Sequence, residues 1–114
     1  MDSRRLPWHE PPGHNSGYSK YLVNDVQGGS KHVDFRISRY PIRGEVEPHV
    51  HDVAEQIYYV ISGTGLFILD GEEHIISQGF TVFIPPGVEH SLVNTGDEDI
   101  VFVVVTSPLN DIPR

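Results

Sequence analysis

From Tyr18 onward the apolar residues fall into short runs: VDFRISRY, QIYYVIS, GLFILD, HIIS, TVFIP, HSLVN and IVFVVVT. All are rich in β-branched and aromatic side chains, which suit a pleated, half-buried surface. Turn-forming residues separate them at Gly28-Gly29, Gly63, Asp70-Gly71, Pro85-Pro86-Gly87 and Thr95-Gly96-Asp97. Asp70-Gly71, between LFIL and EEHIIS, predicts a tight hairpin. No segment carries the apolar spacing of three and four that marks an amphipathic helix, and 11 glycines and 9 prolines leave few windows long enough for one. The pattern predicts an all-β sandwich or barrel with little or no helix.

Two runs, IVFVVV and QIYYVI, are apolar at consecutive positions. A strand buried on one side only should alternate, so either the sandwich is thick or another subunit covers one outer face. A homodimer is the expectation. Residues 1–17, MDSRRLPWHEPPGHNSG, show no period of either kind and are read as an N-terminal arm or loop, ordered by Trp8 packing on the domain or on a partner subunit. Residues 18–114 are read as one domain.

The 114-residue length suits one small domain with a modest core. Sixteen acidic residues against eight basic ones give a formal net charge of −8, which argues against nucleic acid and anionic membrane surfaces as general partners. A small-molecule ligand, even an anionic one, remains compatible, because a pocket can differ in sign from the whole surface. Cysteine is absent, so no disulfide contributes to the fold. No apolar stretch reaches membrane-spanning length. Arg4 and Arg5 are not followed by an apolar segment, so a secretory signal is not expected and the cytoplasm is the expected location.

Candidate chemistry begins at PHVHDVAEQIYYV, residues 48 to 60. On an extended strand His49 and His51 would face the same way, with Cα atoms roughly 6.5 Å apart, close enough for both imidazoles to reach one ion. The plainer reading is a polar strand face. His90 follows FIPPGVEH, where Pro85, Pro86 and Gly87 fix a tight turn that could aim one ligand; alternatively it is a surface histidine on a hairpin.

Together these residues resemble the cupins, whose motifs are G-x5-H-x-H-x3–4-E-x6-G and G-x5-P-x-G-x2-H-x3-N. Gly79, Pro85, Gly87, His90 and Asn94 match the second in full, and His49, His51 and Gly63 match the first. Gly44 lies one residue too close to His49, a change of loop length. The resemblance implies a small double-stranded β-helix, or jelly-roll barrel, with one divalent metal ion near its centre (Zn, Mn, Fe, Ni or Co). It also implies pairing through outer sheets. The family's acidic ligand should stand seven positions before Gly63, which is Gln56; counting x4 from His51 also gives Gln56, and counting x3 gives Glu55. Strand neighbours face opposite ways, so only one can enter the barrel. Gln56 is the expected fourth ligand beside His49, His51 and His90.

An amide in place of a carboxylate leaves the ion's charge uncompensated, which favours Lewis-acid over redox chemistry. The resemblance therefore implies a non-redox metalloenzyme, an isomerase, cyclase or lyase, acting on a small oxygen-rich substrate such as a sugar acid. A metal-dependent dioxygenase and a non-catalytic small-molecule-binding cupin are the alternatives. Tyr58 shares the inward parity of Gln56 and could carry a proton, or simply form an aromatic wall; Glu55 is the other candidate proton carrier. Arg36 or Arg39 could receive a carboxylate, but both are read first as surface or dimer-contact residues. His74 is expected to face solvent. His9, His14 and His32 lie outside the motifs, and Asn94 is read as a strand-end residue.

Overall fold

The computed structural model describes residues 1–111. Ten strands follow one another: β1 (His14–Asn15), β2 (Tyr18–Val23), β3 (Asp34–Tyr40), β4 (Glu45–His49), β5 (Glu55–Ser62), β6 (Thr64–Leu69), β7 (Glu72–Ser77), β8 (Thr81–Ile84), β9 (His90–Val93) and β10 (Ile100–Ser107). Single 3-10 turns at Ser3–Arg5 and Leu109–Asp111 flank them. No α-helix occurs among the described residues, and no helix there is long and apolar enough to cross a membrane. The strands form two five-stranded antiparallel sheets, β2-β3-β10-β5-β8 and β1-β4-β9-β6-β7, that face each other as a jelly roll.

The inward set is Tyr40, Val46, Tyr58, Val60, Phe67, Ile76, Ile84, Leu92, Ile100, Phe102 and Val104. Strands β3 and β10 alternate strictly between buried and half-buried positions. In β5 the alternation is sharper, with Gln56, Tyr58 and Val60 buried and Glu55, Ile57, Tyr59 and Ile61 exposed. The apolar outward positions thus belong to the outer face of the first sheet. There they line up in cross-strand rows, Phe83–Ile57–Val105–Phe35 and Thr81–Tyr59–Val103–Ile37.

Gly63 connects β5 to β6 with φ +87°, and a Cβ there would collide with the Asp99 carbonyl. Only glycine fits that approach. The segment before Tyr18 contains a strand that the sequence pattern does not signal, since β1 is two residues long and too short to show a period. It pairs with β4, His14 opposite Val46, while His9 bridges to Ser19. Trp8 lies under Lys20 Nζ (4.8 Å from the ring centre) and Arg39 Cζ (5.1 Å).

Candidate metal centre

Three histidines from separate places in the chain meet at one end of the barrel. His49 ends β4 and lies directly opposite His90, which begins β9. Strand β4 stops at His49, so strand geometry does not aim His51, contrary to the sequence expectation. Instead, the carbonyl of His51 accepts a hydrogen bond from Gly87 N (2.7 Å), and its Nδ1–H donates to the carbonyl of Asp111 (3.0 Å). The Pro-Pro-Gly turn therefore anchors the backbone of the first histidine pair as well as leading into His90. The possible ligand atoms of His49, His51 and His90 lie within 4.8 Å of one another.

All three rings have the same tautomer imposed on them. Nδ1 of His49 faces the Glu47 carbonyl (2.8 Å), and Nδ1 of His90 faces the Val88 carbonyl (3.0 Å). A carbonyl only accepts, so each Nδ1 carries the proton and each Nε2 presents a lone pair. Burial lowers the His49 pKa and pushes His90 down to about 4. These rings are therefore neutral and ready to ligate at physiological pH.

Two observations test whether these residues suit a cation. Nε2 of His51 is buried without a hydrogen-bond partner among the described residues, a costly arrangement for a polar atom. Nε2 of His90 lies 2.9 Å from Gln56 Oε1, while the Gln56 amide nitrogen donates to Thr106 Oγ1 (2.9 Å). With Nδ1 protonated, His90 Nε2 and the Gln56 oxygen are both acceptors, and neither satisfies the other. Two ligands bonded at about 2.1 Å and set at right angles around an ion stand about 3 Å apart. The donor set fits a divalent ion, and nitrogen and oxygen donors without sulfur do not select among Zn, Mn, Fe, Ni and Co.

Gln56 is buried, and its neighbour Glu55 is exposed on the opposite face of β5. Glu55 does not line the cavity beside the histidines, so the structure does not bring this candidate proton carrier to the site. Tyr58 does line it; its ring stands 6.5 Å from that of His90, and burial raises its hydroxyl pKa. Asn94 binds the Tyr40 and Glu98 carbonyls and accepts from Gly96 N, a strand-end role as expected. His74 is surface-exposed.

The cavity measures about 480 Å³ and reaches past residues that the motifs do not mark. His14, read as lying outside the site, lines it, as do Pro11, Ser19, Ser38 and Asp111. Arg36 also lines it and is buried, in contrast to the surface role expected. The strict alternation of DFRISRY, with Asp34, Arg36, Ser38 and Tyr40 all facing in, was the available signal. A buried arginine breaks the usual rule that charge faces out, which is why the sequence reading places Arg36 at the surface first. Arg39 faces outward and pairs with Asp99 at 3.1 Å.

The family model described as "Cupin domain" matches residues 36–106. An oxalate-binding protein of Thermotoga maritima is 34% identical over 71 residues, covering 62% of this chain and 59% of that one. The crystal structure of a predicted oxalate decarboxylase from Thermotoga maritima superposes with a TM-score of 0.84 at 26% identity, covering 95% of this chain and 97% of that one. That of a polyketide cyclase from Streptomyces resistomycificus gives 0.82 at 22% identity, covering 94% and 77%, and shows the shared fold. The matched segments span 52% to 59% of the length of the first curated relatives.

Proposed function

The chain belongs to the cupins, and from that membership we propose that it holds one divalent metal ion on His49, His51, His90 and Gln56 and uses it in non-redox chemistry on a small, oxygen-rich substrate. The observation that carries this reading is the 2.9 Å approach of two acceptor atoms, His90 Nε2 and Gln56 Oε1, beside the unpartnered Nε2 of His51. A bound ion would supply Lewis acidity toward substrate oxygens. Four neutral ligands leave its charge uncompensated, which favours anionic oxygen ligands. Thr106 holds the Gln56 amide so that its oxygen faces the histidines. Tyr58, kept protonated by burial, is the cavity group proposed to donate a hydrogen bond or proton to the substrate. Phe102 and Val104 line the cavity as well and give it an apolar wall.

A second reading has its own support. The 34% identical relative is named for binding oxalate, which supports a binding module for a small carboxylate built on the same donors. Metal analysis of the purified protein, followed by calorimetry with oxalate and by product and oxygen-uptake assays on enediols and uronates, separates the readings. Zn, Mn or Ni content with turnover and no oxygen uptake supports the non-redox enzyme. Oxalate binding without turnover supports the binding module, iron with oxygen uptake supports a dioxygenase, and a chain that refuses metal after loading sinks both enzyme readings.

The outer face of the first sheet supports a homodimer. Ile57, Tyr59, Ile61 and Phe83 are between 42% and 51% exposed, in rows continuous with Val103, Val105, Phe35 and Ile37. Single exposed apolar residues are ordinary, but a contiguous apolar sheet face marks an interaction surface. A second copy presenting the same face is the proposed cover.

A further inference from the structure

We propose that Arg36 forms an anion subsite in the cavity, receiving a carboxylate of a ligand whose other end lies at the histidines. The subsite rests on the proposed metal reading only for where that other end sits.

Arg36 is 8% exposed and its partner Asp34 is 1% exposed. Nε donates to Asp34 Oδ1 at 2.7 Å and Nη2 to Oδ2 at 2.9 Å. The guanidinium carbon lies 4.7 Å from the centre of the Tyr21 ring. One edge and one face of the guanidinium are thus fixed, while Nη1 has no hydrogen-bond partner among the described residues. His51 Nε2 is the fully buried side-chain atom left without a partner among those residues, so Nη1 keeps some access to solvent, and Arg36 lines the cavity. The remaining Nη1–Nη2 edge is a planar fork suited to a carboxylate.

Stability alone does not account for this pair. Burying an ion pair is costly, and apolar residues of similar volume commonly serve as well or better. The pair also sits where a ligand can use it. Val104 of β10 lies opposite both Arg36 and Tyr58, so the two share one inward row about two strand spacings, or roughly 10 Å, apart at Cα. In the neighbouring row Thr106 lies opposite both Gln56 and Asp34. The proposed ligand oxygen of Gln56 and the free edge of Arg36 therefore flank the same strip of β10. On the other side of the Arg36 row, where Ser38 lies opposite Phe102, Ser19 and Ser38 share a hydrogen bond of 2.8 Å between hydroxyls and also line the cavity. They offer hydroxyl contacts to further ligand oxygens.

The Asp34–Arg36 pair is neutral as a whole, and its outer edge keeps N–H donors for a carboxylate. Glu47 and Asp111, which line the cavity, keep their charge, with carboxylates turned to Asn15 (3.2 Å) and to the amides of Val53 and Ala54; the ion proposed at the histidines would offset them. The ligand class is therefore a short acid with a chelating oxygen pair at one end and a carboxylate a few bonds away.

Two measurements test this. In metal-free protein, glutarate is titrated while the arginine Nε–H resonances are followed by NMR. A saturable shift of the Arg36 resonance is expected, and a resonance that stays unmoved overturns the subsite whatever the metal does. In Zn-loaded protein, calorimetry compares 2-hydroxyglutarate with 2-hydroxybutyrate, which share a chelating head and differ in the distal carboxylate. The wild type is expected to favour 2-hydroxyglutarate by about tenfold or more. The paired change Asp34→Asn with Arg36→Gln, which removes both charges together, should abolish that preference and leave 2-hydroxybutyrate binding unchanged. Arg36→Lys, which keeps Asp34 paired but loses the fork, should reduce it several-fold. A preference that survives these changes refutes the assignment. Failure to retain Zn would instead count against the metal reading, and the glutarate titration then decides the subsite alone.

Discussion

Asp111 holds His51 from behind. Its carbonyl accepts from His51 Nδ1 at 3.0 Å, and its carboxylate accepts from Val53 N at 2.7 Å and Ala54 N at 2.8 Å. One residue near the C-terminus thus orients a candidate ligand and pins the loop that carries it. Groups that orient a ligand from outside commonly change metal affinity by about 10- to 100-fold when removed. Asp111→Ala, which frees the 53–54 amides, should weaken metal retention toward a competing chromophoric chelator by about tenfold. Unchanged retention would show that the loop holds His51 without this clamp.

Gln56 and Glu55 give opposite expectations for neighbouring positions. Glu55→Ala should leave metal content unchanged, because Glu55 is exposed and absent from the cavity lining. Gln56→Ala should lower metal affinity by at least about tenfold. Thr106→Val, which removes the hydroxyl accepting from the Gln56 amide, should have a smaller effect in the same direction. Gln56→Glu adds a negative charge at the ion and should tighten binding. Metal titration of the four variants checks all of this, and metal loss in Glu55→Ala alone would reverse the assignment.

The metal-free protein should lose stability as the solution is acidified from about neutral. His90 titrates at about 4 when folded because of burial, and near 6.5 when unfolded. Between these values the unfolded chain binds more protons, so stability rises with pH across that window. It is fully present above about 6.5 and lost as pH falls through the folded value, amounting to roughly 3 kcal/mol for His90. His49, lowered in the same direction, adds to the effect. Chemical denaturation of metal-free protein between pH 7 and 4 measures it. In His90→Gln the slope should flatten, and an equal slope in that variant would place the titration elsewhere.

The apolar outer rows of the first sheet predict self-association. Tyr59→Lys together with Phe83→Lys places charges at exposed positions of β5 and β8. Light scattering on the eluting protein should then give the monomer mass, against twice that mass for wild type, with the melting profile of the barrel retained. A monomeric wild type at micromolar concentration would remove this surface from consideration.

Much of the site could be read along the chain because it is encoded at short range. The spacing of Gln56 to Gly63 depends on a glycine that a positive φ and the nearby Asp99 backbone require. Residue parity along β5 then separates Gln56 from Glu55. The inward face of Arg36 is harder to read: it is named as a possible carboxylate receiver, but the alternation of DFRISRY groups it with Asp34, Ser38 and Tyr40 without saying which set faces in. That orientation depends on Asp34 for charge and on Tyr21, in another strand, for a stacking face.

Local pattern therefore determined the β class and most strand positions, which follow from side-chain periodicity and backbone conformation acting over a few residues. The candidate histidines and the amide stand out by their match to the spacing of the cupin motifs. Folding decided what converges on them. His51 is aimed by Gly87 and Asp111, β1 closes onto β4, and His14, Ser19, Ser38 and Arg36 join the cavity. These contacts join residues far apart in the chain, and only the pairing register of two sheets brings them together.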